Sequence, residues 1–91
     1  MARAKNDRRR NDKFGGMRIT PVNYQRLVCV FKKAGFIYSR TSGDHLIYVK
    51  IGCARPLVIP KYANVPIFVI KNLMRLCDMD RTEYFKLLAE C

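Results

Sequence analysis

Ser42-Gly43-Asp44 puts the chain's only histidine, His45, directly after a turn and at the head of the run His45-Leu46-Ile47-Tyr48-Val49-Lys50-Ile51. An imidazole has an unperturbed pKa of about 6.5, so it takes or gives a proton near neutrality. The chain has a formal net charge of +11, and a field of that sign draws phosphates to such a group. The chemistry open to this combination is proton transfer on a polyanion. Arg40, Lys50 and Lys61 are the cations that a compact fold can gather near His45, where they would stabilise charge developing on a phosphate. Tyr48 and Tyr62 can stack on a base or donate a proton. The plainer alternative is a rim histidine without a role, three solvated surface charges and a half-buried Tyr48.

Were the polyanion RNA, strand cleavage without a metal would set a demanding standard for such a cluster. The ribose 2′-hydroxyl must be activated, the pentacoordinate phosphorane stabilised and the leaving 5′-oxygen protonated. One imidazole cannot be charged and neutral in the same step, so a second group or water must share the proton traffic.

Ninety-one residues, 49% of them apolar, make one domain with an ordinary capacity for a core. No apolar run approaches the ~20 residues that cross a membrane. No hydrophobic segment follows the basic N-terminus, so no secretory signal is read and a cytoplasmic location is expected. Cys29, Cys53, Cys77 and Cys91 include no Cys-x-x-Cys pair, and one histidine does not complete a Cys/His zinc site, so no metal and no cofactor are expected. Free thiols follow from that compartment, with Cys29 and Cys77 in the core. Residues 1–18 hold seven basic side chains against Asp7 and Asp12; the remainder holds eleven basic and five acidic ones. The body is therefore basic in its own right, which suits nucleic acid or an acidic protein.

The elements that must position His45 can be read in order. Residues 1–16 are polar and basic, and are expected to form a flexible arm before a domain over 17–91. Thr20-Pro21 reads as a helix start, with the helix running over about 21–34 and stopped at Gly35. Tyr24, Leu27, Val28 and Phe31 are its apolar stripe. Strands are expected over 36–41, 45–51 and 57–59, the last stopped by Pro60. Gly43 provides the first turn and 52–56 the second, which favours an antiparallel meander. Alternation places His45 with Ile47, Val49 and Ile51 on what reads as the core face, at its thin rim. Helices are expected over 66–77, opened by Pro66, and over 81–89, opened by the capping-box-like Asp80-Arg81-Thr82-Glu83. The class is α+β, with order α-β-β-β-α and a short extra C-terminal helix.

That order and these residues resemble the HicA family of toxin–antitoxin toxins, small mRNA interferases with a double-stranded-RNA-binding-domain-like fold. The matching pieces are Leu27 with Lys32-Lys33-Ala34-Gly35-Phe36, Ser42-Gly43-Asp44-His45 leading into Leu46-Ile47-Tyr48, Val58-Ile59-Pro60-Lys61, the Ile70–Leu73 helix and the tail from Arg81 to Leu87. They span about residues 20–89. The resemblance implies a metal-independent endoribonuclease acting on mRNA, with His45 as the catalytic residue and a HicB-like antitoxin as its protein partner. Three positions depart from the pattern: Asp44, where Ser or Gly is usual; Tyr62, where a basic or His residue often follows the proline; and Lys50-Ile51-Gly52 in place of a His-Pro-Asp-Gly hairpin. A carboxylate beside His45 can raise the imidazole's pKa or repel a phosphate. The rival reading is an RNA-binding module without chemistry, or a structural piece of a ribonucleoprotein, which needs the same positive surface but asks nothing of His45.

The basic arm is expected to contribute non-specific RNA affinity through counterion release. Deleting residues 1–16 should flatten the slope of log affinity against log salt in RNA titrations; an unchanged slope would exclude the arm as an RNA contact.

Overall fold

The computed structural model describes residues 18–91, so the expected arm over 1–16 and Met17 lie outside the described residues. The elements are α1 (Tyr24–Lys33), β1 (Ile37–Ser42), β2 (His45–Lys50), β3 (Cys53–Pro60), α2 (Ile67–Leu76) and α3 (Arg81–Ala89). The three strands form one open antiparallel sheet in the order β1-β2-β3. α1 and α2 pack on one of its faces against β3, and α3 packs against α1. This is an α+β fold, as the sequence implies, and no described helix is long and apolar enough to cross a membrane.

α1 begins later than Thr20-Pro21 predicts. Val22 forms an isolated antiparallel bridge with Val65, and the Val65 N–H donates to the Val22 carbonyl at 2.7 Å. A backbone extended at Val22 cannot also be helical, so Asn23 becomes the cap, its side chain accepting the Gln25 N–H at 2.8 Å. The helix ends as expected. Gly35 takes φ +106°, and the N–H groups of Gly35 and Phe36 return to the carbonyls of Lys32 and Phe31. Leu27, Val30 and Phe31 are its buried face.

The first hairpin is closed by two residues, Gly43 and Asp44, with Gly43 at φ +59°. A positive φ at the first central position matches the right-handed twist of the strands. β3 is longer than 57–59. Tyr48 stands opposite Leu57 and Lys50 opposite Cys53, so residues 54–56 bulge against the single Val49. Pro56 is accommodated because it sits within that irregularity. A smaller irregularity at Ser39 in β1 keeps Tyr38 opposite Tyr48 and Arg40 opposite Ile47.

α2 starts after Pro66, whose carbonyl accepts from Val69 and Ile70. α3 has the predicted bounds and start: the Asp80 carboxylate accepts the Glu83 N–H at 2.8 Å. The core joins Leu27, Val30 and Phe31 of α1 to Leu57 and Ile59 of β3, Ile70 and Leu73 of α2, and Tyr84 and Phe85 of α3. Each fully buried Leu or Ile contributes roughly 1.5–3 kcal/mol. Every buried side chain of the core is apolar or aromatic, and none carries charge.

Cys29 and Cys91 are joined in a disulfide, with their Cα atoms 6.1 Å apart. This corrects the expectation of four free thiols: Cys29 is half-buried on α1 and meets the residue that follows α3, a proximity 62 positions away in sequence. Cys53 and Cys77 remain free, and burial, then the neighbouring Cys53 and Glu83, pushes the Cys77 thiol up. Closing a loop of that length should stabilise the fold by about 2–4 kcal/mol, chiefly by restricting the unfolded chain. Denaturant titration with and without a thiol reductant checks this: reduction, or Cys91→Ser, should lower the midpoint without abolishing the helical circular dichroism.

Candidate functional site

β2 carries apolar residues on both faces, and the neighbouring strands decide which face enters the core. Leu46 lies opposite Ile59 and Tyr48 opposite Leu57, and these side chains join the helices in the core cluster. Tyr48 is held edge-on by Tyr38 at 5.8 Å between ring centroids. Burial, then the neighbouring Tyr38, keeps its hydroxyl pKa above the ordinary value. Tyr48 is thus a packing residue. The odd-numbered positions, which read as the core face, point the other way. His45, Ile47 and Val49 share the sheet face that the helices leave uncovered, with Val58 of β3 and Ile37 of β1. Ile47 is only 7% exposed yet stands outside the main cluster, shielded by its strand neighbours Arg40 and Val58.

His45 is half-buried at the first position of β2. Its Cα partners are Ser42 on β1 and Pro60 on β3. Directly opposed residues of an antiparallel pair lie about 4.5–5.5 Å apart at Cα. Arg40 is two pairs further along, opposite Ile47, so its side chain lies on the same face as the imidazole and diagonal to it. Lys61 follows Pro60, and its N–H donates to the Asp44 carbonyl at 2.8 Å, which ties the end of β3 to the turn before His45. Arg40, His45 and Lys61 are therefore brought to one end of the sheet. Arg40 and Lys61 are exposed. Tyr62 is next to Lys61 and also exposed; its carbonyl accepts the Tyr24 N–H.

Lys50 is not part of this group. Five positions along an extended strand separate it from His45, about 17 Å. It also lies on the helix side, where its ammonium donates to the Ala34 carbonyl at 2.8 Å and sits 5.6 Å from the centre of the Phe36 ring. The expectation that Lys50 gathers beside His45 is corrected for that reason: a carbonyl at the end of α1 and an aromatic face hold the cation where it is. Membership of the same strand as His45 was the wrong signal, and the parity of position 50 relative to 45 was the available one.

Asp44 forms no ion pair with His45; among the described residues, the ion pair present joins Lys33 and Glu90 at 3.7 Å. No side-chain hydrogen bond among the described residues orients the imidazole. The arrangement thus offers a partly exposed imidazole, an arginine on the same face and a lysine at the adjoining turn. These are groups suited to contact with an anion and to proton transfer with a neighbouring hydroxyl. Ser42, the cross-strand partner of His45, is the residue that sequence reasoning passed over as mere turn. It became legible only with the register.

No protein-family model, curated protein or solved structure matches the chain.

Lys50 and Arg40 separate cleanly by experiment. Lys50→Met should lower unfolding free energy by about 1 kcal/mol, the usual net worth of such a hydrogen bond, and change RNA affinity little. Arg40→Met should do the reverse in the same denaturation and filter-binding measurements.

Proposed function

We propose that this protein is a metal-independent endoribonuclease of the HicA toxin type, with a double-stranded-RNA-binding-domain-like fold and the uncovered sheet face as its RNA surface. The single observation that supports the reading is the presentation of His45: the imidazole is at the rim of the open face, outside the core, with Arg40 on the same face and Lys61 tied to its turn. On this reading the neutral imidazole takes the proton from a ribose 2′-hydroxyl, and the oxygen attacks the adjacent phosphorus. Arg40 and Lys61 stabilise the phosphorane, and the leaving 5′-oxygen takes its proton from water or from the imidazolium after it forms. Gly43 sets the hairpin that brings His45 to the edge. Tyr62 is available to stack on a base. Lys50 lends positive potential only at a distance. A HicB-like antitoxin covering the sheet face would silence the enzyme by excluding RNA from His45.

The second reading, an RNA-binding module without chemistry, is favoured by a different observation. The imidazole has no orienting hydrogen bond among the described residues, whereas a general base usually has a partner that holds its ring and tautomer.

One experiment decides between them. Purified protein is incubated with single-stranded RNA in the presence of a chelator, and His45→Gln is compared with the natural chain. Cleavage should fall about 10²–10⁴-fold, the ordinary range for loss of a general acid or base, while RNA affinity and thermal stability hold. Equal cutting by both proteins removes His45 from the mechanism. Binding by both with cutting by neither establishes the binding module.

A further inference from the structure

Away from the sheet, a groove of about 690 Å³ runs between α2, the start of α3 and the chain at Arg18-Ile19. None of its lining residues belongs to a strand. Ile19, Met74 and Met79 form a buried apolar floor that Ile67 continues to the surface. Four exposed cations stand around it: Arg18, Lys71, Arg75 and Arg81. Among the described residues none of the four is in an ion pair. Arg75 donates to the Asn72 side chain at 2.7 Å, and Arg81 lies over the Phe85 ring at 5.8 Å. The one acid in the lining, Asp80, turns its carboxylate to the Glu83 N–H.

We propose that this groove is a docking site for an acidic amphipathic helix of a protein partner. Among the described residues no acid forms an ion pair with these cations, so carboxylates at the rim would be attracted on approach and would fix orientation. The floor asks for something different from charge. Two methionines and two isoleucines accept the leucine-type anchors of a helix at i, i+3, i+4 and i+7, and methionine adapts to irregular shapes. Nucleic acid fits this floor poorly, because no aromatic side chain lines it for a base to stack on. The chain's own residues 1–17 are excluded by sign, with six basic side chains against two acidic ones. A second copy is disfavoured likewise: over residues 18–91 the body carries twelve basic side chains against five acidic ones, and one of those acids, Asp80, lines this same groove. The proposal stands independently of RNA cleavage, since it uses no residue of the sheet.

The test measures fluorescence anisotropy of labelled synthetic peptides against the full chain. One peptide has leucine at the anchor positions and glutamate elsewhere over about four helical turns; a second replaces the leucines with serine at the same charge. The glutamate–leucine peptide should bind at least about tenfold more tightly than the glutamate–serine one, the difference of a few buried side chains. The double variant Lys71→Glu/Arg75→Glu should weaken it by about tenfold or more, while Arg55→Glu/Lys32→Glu, an equal charge change outside the groove, should weaken it far less. Circular dichroism confirms that each variant is folded. Equal affinity for the two peptides, or equal loss in the two double variants, would overturn the proposal as general charge attraction. Displacement of the peptide by a single-stranded oligoribonucleotide whose own affinity falls in Lys71→Glu/Arg75→Glu would overturn it in favour of a nucleic-acid groove. RNA cleavage by the groove variant is read separately, so failure of either reading leaves the other standing.

Discussion

In the β2–β3 ladder, Leu46 faces Ile59 and Tyr48 faces Leu57, and these side chains enter the core together. The remainder of the structure depends on that register. Side chains alternate along a strand with a period of two, so a slip of one residue would exchange the faces of β2 completely. His45 and Ile47 would then be driven against the helices, and Tyr48 would be exposed. Leu57 and Ile59, both fully buried, resist the slip because each would lose the transfer energy of a whole side chain. The position of the candidate site at the open rim is thus a consequence of what packs on the other side of the sheet.

The connections after β3 keep the helices on that one side. The Val22–Val65 bridge and the Tyr24 N–H on the Tyr62 carbonyl hold the entry to α1 against the segment leading to α2. At the far end of α1, Lys50 bonds to the Ala34 carbonyl from the end of β2. Gly35 makes room for this: a Cβ there would meet the Lys50 Cε at 3.1 Å, besides straining a φ of +106°. The Cys29–Cys91 bridge then fastens the end of α3 to the middle of α1. Helix α1 is held by three elements that are remote from it in sequence, and it packs in turn against β3 of the sheet.

The charge of the chain divides into two regions with different surroundings. Around His45, cations adjoin an exposed strand face with hydroxyl and imidazole groups. Around the α2–α3 groove, cations adjoin an aliphatic floor. Both follow from the same constraint: no charged side chain is buried, so twelve basic residues among 18–91 share the surface with five acidic ones. Like charges on a small body are separated by the fold, and the apolar surface between them differs.

Local rules sufficed for the order α-β-β-β-α-α, because each boundary is signalled by residues adjacent to it. Gly35 ends α1, Gly43 turns the first hairpin, and Asp80 with Glu83 opens α3. His45 as the head of a strand was legible for the same reason, and so was its neighbour Lys61, since Pro60 ends β3. The sidedness of β2 was not legible, because both of its alternating sets, His45-Ile47-Val49 and Leu46-Tyr48, are rich in apolar residues and period two alone is degenerate. Only the partners on β3 and the helices choose between them. The destination of Lys50, the late start of α1 at Asn23 and the pairing of Cys29 with Cys91 were hidden for a related reason. Each rests on a contact between segments far apart in the chain, where the energy depends on three-dimensional distance and no local pattern records it.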